Sequence, residues 1–170
     1  MSYCDNITDV SMLGNIKKLN LSGCKNISDF SMLINCKELN ISFHDSITDV
    51  SILGNIKKLN LCACKNISDV SMLGNVEELD LSGCDKIKDV SMLGNIKKLN
   101  LCACKNISDV SMLGNCEELD LSGCDKITDV SILGNVKKLN LSYCKNVKDV
   151  RNLGNCIELE LSGCSNIYHF

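Results

Sequence analysis

The amino-acid sequence predicts an α/β solenoid, a stack of short units with one parallel β-sheet face and loops or short 3₁₀ turns on the other. Three observations carry this expectation. Residues 56–75 read IKKLNLCACKNISDVSMLGN, and residues 96–115 repeat the same letters. The period of 20 runs along the whole chain, with units starting at Ile16, Cys36, Ile56, Val76, Ile96, Cys116, Val136 and Cys156 after a half unit at residues 1–15. Within each unit, a pair of apolar residues alternates with polar ones, and further apolar residues then follow at a spacing of three. No single unit buries its own apolar residues, so each must stack on the next. Residues 1–170 are therefore expected to form one solenoid domain without linkers.

Each part of a unit has a local reason. In the first full unit, Leu19 and Leu21 alternate with Lys18, Asn20 and Ser22. That two-residue period predicts a short strand with leucines inward and polar residues outward. Gapless repetition places each strand parallel to the next, about 4.8 Å away. Ile27, Phe30 and Leu33 then turn the chain back along the opposite side in loops or 3₁₀ turns, because so short a unit leaves no room for a long helix. Asp29 and Ser31 offer acceptors for the backbone N–H groups of that turn. Gly-Asn, as at Gly54-Asn55, predicts a tight turn into the next strand, with glycine available for a left-handed conformation. Ile34 replaces that glycine in one unit, so either the turn is not left-handed or this unit is rearranged.

The pattern L-x-x-L-x-L-x-x-C-x-x-I-x-D-V-S-x-L resembles the leucine-rich repeat, with Leu19, Leu21, Cys24 and Ile27 at its signature positions. Ser68 to Ser71 resemble the short units of bacterial internalins and phosphatase-regulating scaffolds, which usually carry Asn where this chain has Cys. The cysteine is closer to the repeats of F-box adaptors, whose units are longer. Near-identical units rich in Asn and Lys also resemble repeat families of large DNA viruses. The resemblance implies a non-catalytic scaffold that binds a protein partner, usually on the strand face.

Composition removes several classes of function. A net charge of −3 does not mark a polyanion binder, so no nucleic-acid partner is expected. Apolar runs are short, which argues against a membrane span. The start MSYCDNITDV has neither a basic region nor an apolar stretch and does not read as a signal peptide. The 13 cysteines are then expected to be reduced thiols in an intracellular, cytoplasmic setting. Cys4, Cys24, Cys64, Cys84, Cys104, Cys124, Cys144 and Cys164 share one column just after the strand, and His44 takes the place of a ninth. They are expected to be small core fillers. Cys62-Ala63-Cys64 and Cys102-Ala103-Cys104 look chelating, but alternation sends the first cysteine out and the second in, so no metal site is predicted. His44 beside Asp45 makes no triad by adjacency. No catalytic residue and no cofactor site is expected.

Charges alternate along the outward strand columns. One reads Lys18, Glu38, Lys58, Glu78, Lys98, Glu118, Lys138, Glu158, and the next Asn20, Asn40, Asn60, Asp80, Asn100, Asp120, Asn140, Glu160. Alternation turns like-charge clashes between neighbouring strands into attractions and fixes register. The candidate protein-binding residues are Lys58, Asn60, Glu78, Asp80, Lys98, Asn100, Glu118 and Asp120 on this face, with Phe43 and Tyr143 at strand exits as aromatic anchors. Departures from the consensus cluster at Phe30, Ile34, Cys36, Phe43, His44, Asp45 and Ser46, by drift or as a contact surface. The alternative function is a structural or self-assembling element without a dedicated ligand. Lys17 and Lys18 in the first full strand and Glu158 and Glu160 in the last suit weak head-to-tail self-association. Tyr168, His169 and Phe170 are expected to cover part of the final core.

Overall fold

A computed structural model of the protein describes Cys4 and residues 6–168. Eight strands of three residues each form one parallel sheet in sequential order: β1 (Lys18–Asn20), β2 (Glu38–Asn40), β3 (Lys58–Asn60), β4 (Glu78–Asp80), β5 (Lys98–Asn100), β6 (Glu118–Asp120), β7 (Lys138–Asn140) and β8 (Glu158–Glu160). Every strand pairs in register with the unit below, so Lys58 faces Glu78, Leu59 faces Leu79 and Asn60 faces Asp80. The ladder continues past the strand ends, where the N–H groups of Leu61 and Ala63 donate to the Asp80 and Ser82 carbonyls.

The three-residue spacing beyond the strand is a series of i to i+3 turns. The Cys64 N–H donates to Leu61 O, Ile67 to Cys64, Leu73 to Val70 and Val76 to Leu73. Side chains three apart eclipse in such turns, so this spacing puts Leu61, Cys64, Ile67, Val70, Leu73 and Val76 on one inner side. All six are buried, and the same columns in the other units join them in one continuous core. Short 3₁₀ turns such as Ser71–Leu73 and Ser91–Leu93 lie on the side opposite the sheet. Each follows an aspartate whose Oδ1 accepts the N–H of the residue two further on, as Asp69 does from Ser71 at 2.9 Å. The Asp-x-Ser pairing expected to hold this turn is thus present.

Three expectations are corrected. The glycine turn is right-handed, with Gly54 at φ −63. The left-handed residue lies instead just past the strand, at Gly23, Phe43, Ala63, Gly83, Ala103, Gly123, Tyr143 and Gly163, with φ between 56 and 75. Glycine at position 54 serves close packing, because an added Cβ would overlap the carbonyl of Met72 in the next unit. Ile34 therefore carries no left-handed strain, and its side chain points out, 47% exposed. Second, Ser22 does not face out. Regular alternation stops where the strand ends, and Ser22 and Ser42 are buried with their hydroxyls 2.7 Å apart. Third, Tyr168 does not cover the core but is 65% exposed. His169 and Phe170 lie outside the described residues.

The cysteine column is buried as expected from Cys24 to Cys144 and half-buried at Cys4 and Cys164, and it also makes hydrogen bonds. Cys64, Cys84, Cys104, Cys124 and Cys144 point their Sγ at the carbonyl of the second strand leucine or isoleucine one unit earlier, at 3.1 to 3.3 Å. Burial pushes the Cys104 thiol up to about 12 and the Cys64 and Cys144 thiols up to about 11. The protonated S–H is the form that donates. His44 takes over this role, its Nε2 lying 3.2 Å from Leu21 O, so the Nε2–H tautomer completes the column. Phe30 stands against its ring edge-on, with centroids 5.6 Å apart. The cluster of departures therefore divides. Phe30 and His44 form one buried unit, whereas Phe43 and Ile34 face solvent.

Candidate functional site

The outward face of the sheet forms a shallow groove of about 700 Å³ that crosses all eight strands. The strand backbone at Leu59, Leu79 and Leu99, whose side chains are buried in the core, lies along its floor, and the Lys/Glu and Asn/Asp columns form its walls. Sequential parallel pairing places these columns, since every strand contributes the same two outward positions. Lys58, Glu78, Lys98 and Glu118 all line the groove, as do Asn60, Asp80, Asn100 and Asp120.

The charged column pairs in twos. Lys18 meets Glu38 at 2.8 Å, Lys58 meets Glu78 at 2.9 Å, Lys98 meets Glu118 at 3.0 Å and Lys138 meets Glu158 at 2.8 Å. Among the described residues no ion pair closes the intervening steps of this column, such as Glu78 with Lys98. Just before the strand, Lys57 meets Glu77 at 2.8 Å within one such block, whereas Lys137 meets Glu117 at 3.5 Å across the step between two blocks. The electrostatic repeat is thus two units long. The hydrogen bond from Lys18 holds the Glu38 carboxyl below its ordinary range, and the one to Glu78 raises Lys58. All of these side chains keep substantial exposure, so water and salt weaken the pairs.

The amide column is more committed than alternation suggested. Oδ1 of Asn60 accepts the Cys62 N–H at 2.9 Å, Asp80 that of Ser82, Asn100 that of Cys102 and Asp120 that of Ser122. These bonds hold the strand-exit turn whose next residue is left-handed. The other side-chain atoms link neighbours, with Asn60 Nδ2 3.4 Å from Asp80 Oδ2 and Asn140 Nδ2 3.2 Å from Asp120 Oδ2. The groove therefore presents a column of paired Lys and Glu beside a column of amides and carboxylates held by their own turns.

Phe43 and Tyr143 are exposed, 46% and 60%, but they do not line the groove and are not brought together. They stand at strand exits five units apart, about 24 Å at the spacing of paired strands. The Tyr143 ring lies over Gly163, where an added Cβ would fall 2.5 Å from Cδ1. Among the described residues no group of His, Cys, Asp or Glu is arranged to hold a metal ion. One outward feature was missed from the sequence. The residue before the last apolar position of each turn, Met72 in Ser71-Met72-Leu73, points to solvent in unit after unit. The signal was available, since Val70 and Leu73 take the inward places.

Comparison with known proteins agrees with this geometry. The family profile described as Leucine Rich repeat matches residues 75–93 and 117–133. The solved structure of an internalin, inlF, from Listeria monocytogenes matches with a TM-score of 0.74 at 26% identity, over 91% of this chain. The chain has the leucine-rich-repeat fold. It spans about half of that internalin, 51% of its length. Internalin C2 from the same species matches with a TM-score of 0.50 at 23% identity, over 87% of this chain and 78% of that one, a likeness of fold alone. No curated protein sequence matches the chain. Leucine-rich-repeat proteins generally mediate contacts between proteins.

Proposed function

We propose that this leucine-rich-repeat solenoid is a non-catalytic scaffold that binds a protein partner along its strand face. The observation that supports the reading is the open groove, continuous across eight strands and walled by Lys/Glu pairs that neutralise one another. Such a surface offers polar contacts at a reduced cost of stripping water from charge, because those charges are already paired. An extended segment lying across the strands would meet the same chemistry every two units. Phe43 and Tyr143 would add aromatic contacts at the rim. We read the protein as intracellular. All 13 cysteines are free thiols, which suits a reducing compartment.

The test is to reverse a pair without losing it. Lys98→Glu with Glu118→Lys keeps the ion pair and inverts its direction in the groove. A partner captured by the native chain is expected to be lost by this swap, whose melt falls only slightly through the like charges set beside Glu78 and Lys138, and to bind more weakly to Phe43→Ala/Tyr143→Ala, whose melt stays unchanged. Full retention by both variants would remove the strand face as the binding site.

A further inference from the structure

The side opposite the sheet carries two features that the fold itself does not require. The first is an apolar stripe. Met12, Met32, Ile52, Met72, Met92, Met112 and Ile132 occupy one column of successive 3₁₀ turns and are 45% to 91% exposed. Nothing in the core depends on them, since the same column ends in Asn152. The stripe is seven residues long and unbroken. Six intervals of about 4.8 Å make it about 29 Å in length. A run of exposed apolar side chains on that scale is unusual for a surface without a partner.

The second feature is a row of like charges beside the stripe. Asp69, Asp89 and Asp109 hold the turns by accepting the N–H groups of Ser71, Ser91 and Ser111, each at 2.9 Å. The turn needs the acceptor oxygen, not the charge. In the strand column the same bond is made by neutral Asn60 and Asn100. Yet the turn column is aspartate at every turn from Asp9 to Asp149. In the outward Lys/Glu column of the strand face charges alternate and pair. Here they repeat, and among the described residues no ion pair engages Asp69, Asp89 or Asp109, although Lys88 is adjacent in sequence. The backbone bond from the serine also holds each carboxyl below its ordinary value, so the row stays ionised.

We propose that this Met/Ile stripe with its aspartate row is a second docking surface, which takes a cationic amphipathic helix of a partner protein. The charge selects the occupant. A second copy of this chain would bring another aspartate row, and an anionic lipid surface would be repelled. A helix repeats its apolar face every 5.4 Å along the axis, close to the spacing of stacked units, and about 19 residues would cover the stripe. Flexible methionines absorb the small mismatch. Lysines or arginines flanking the helix's apolar face would lie over the carboxylates. This surface is separate from the strand groove, so either reading can fail without the other.

The test uses the full chain carrying ¹³C-methyl methionine, with a Leu/Lys peptide of about 19 residues and leucines at helical spacing as the probe. Binding is expected to shift the methyl signals of Met72, Met92 and Met112. It should weaken about tenfold in Met72→Gln/Met92→Gln/Met112→Gln, and again in Asp69→Asn/Asp89→Asn/Asp109→Asn, whose turns keep their acceptor. A Leu/Glu peptide of the same pattern should not bind. Failure of the Leu/Lys peptide to bind, equal binding of both peptides, or indifference to both triple variants would overturn the proposal. So would methyl shifts produced by raising the protein concentration alone, which assign the stripe to self-association, or by anionic vesicles, which assign it to lipid.

Discussion

Gly54 and Gly154 take the same place in their units and the same backbone conformation, φ −63 and ψ −13. Their surroundings differ. A Cβ added at Gly54 would overlap the Met72 carbonyl oxygen and sit 3.2 Å from its carbon, while at Gly154 nothing lies within 4 Å. Replacing each by alanine separates backbone freedom from packing. The backbone contribution is equal at the two sites, because alanine in a right-handed conformation narrows the unfolded ensemble and stabilises by about 0.4–1 kcal/mol. At Gly154 that is the whole effect. At Gly54 the neighbouring backbone must give way, and crowding of this kind costs about 1–3 kcal/mol. Gly154→Ala should therefore be slightly more stable than the native chain, and Gly54→Ala less stable by about 0.5–2 kcal/mol. Urea unfolding followed by circular dichroism, with reductant present, reads the difference as opposite shifts of the midpoint. Midpoints that move in the same direction would refute the claim that glycine is there to let one unit approach the next.

Two further outcomes follow from the polar contacts. His44 is buried and its pKa is depressed, first by desolvation, so the folded protein holds it neutral while the unfolded chain takes up a proton near its ordinary value of about 6.5. The unfolded state then binds more protons below that pH, and stability should fall on acidification from pH 7 to 5.5. His44→Cys, which restores the column, should flatten that part of the curve, and an unchanged curve would contradict the assignment. Asp69→Ala should lower the melting temperature by about 2–4 °C through loss of the turn acceptor, while Asp69→Asn should leave it nearly unchanged. The turn aspartates, with folded pKa values below the usual carboxylate range, should help stability above about pH 4 and lose that help as pH falls through the lowered values.

Much of the fold was legible because a repeat states the same instruction in every unit. Strand pairing, the inward columns and the Asp-x-Ser turn all followed from spacing. The left-handed position did not. Its occupants include Phe43, Ala63 and Tyr143, which give no sign of positive φ, while the glycine that invites such a reading at residue 54 is present for contact with the next unit. Close approach between units is a property of the stack and has no local signature. The strand face was legible as a face but not as a chemistry. Alternation announced outward side chains, yet whether Asn60 or Asp80 remains free depends on the turn two residues later. His44 likewise gave no sign of its contact with Phe30, which lies 14 residues earlier and against its ring.

Pairing in twos has a consequence for how such an array can change length. Loss of residues 76–95 would leave every apolar column intact and would bring Lys58 beside Lys98 and Lys57 beside Lys97. Loss of residues 76–115 would instead set Lys58 against Glu118 and Lys57 against Glu117, with every sign preserved. The core tolerates growth or shrinkage by any whole unit, but the surface counts in even numbers. Slippage between near-identical coding segments would thus pass through an electrostatic filter with a quantum of 40 residues, and an engineer lengthening the stack should add modules by the pair.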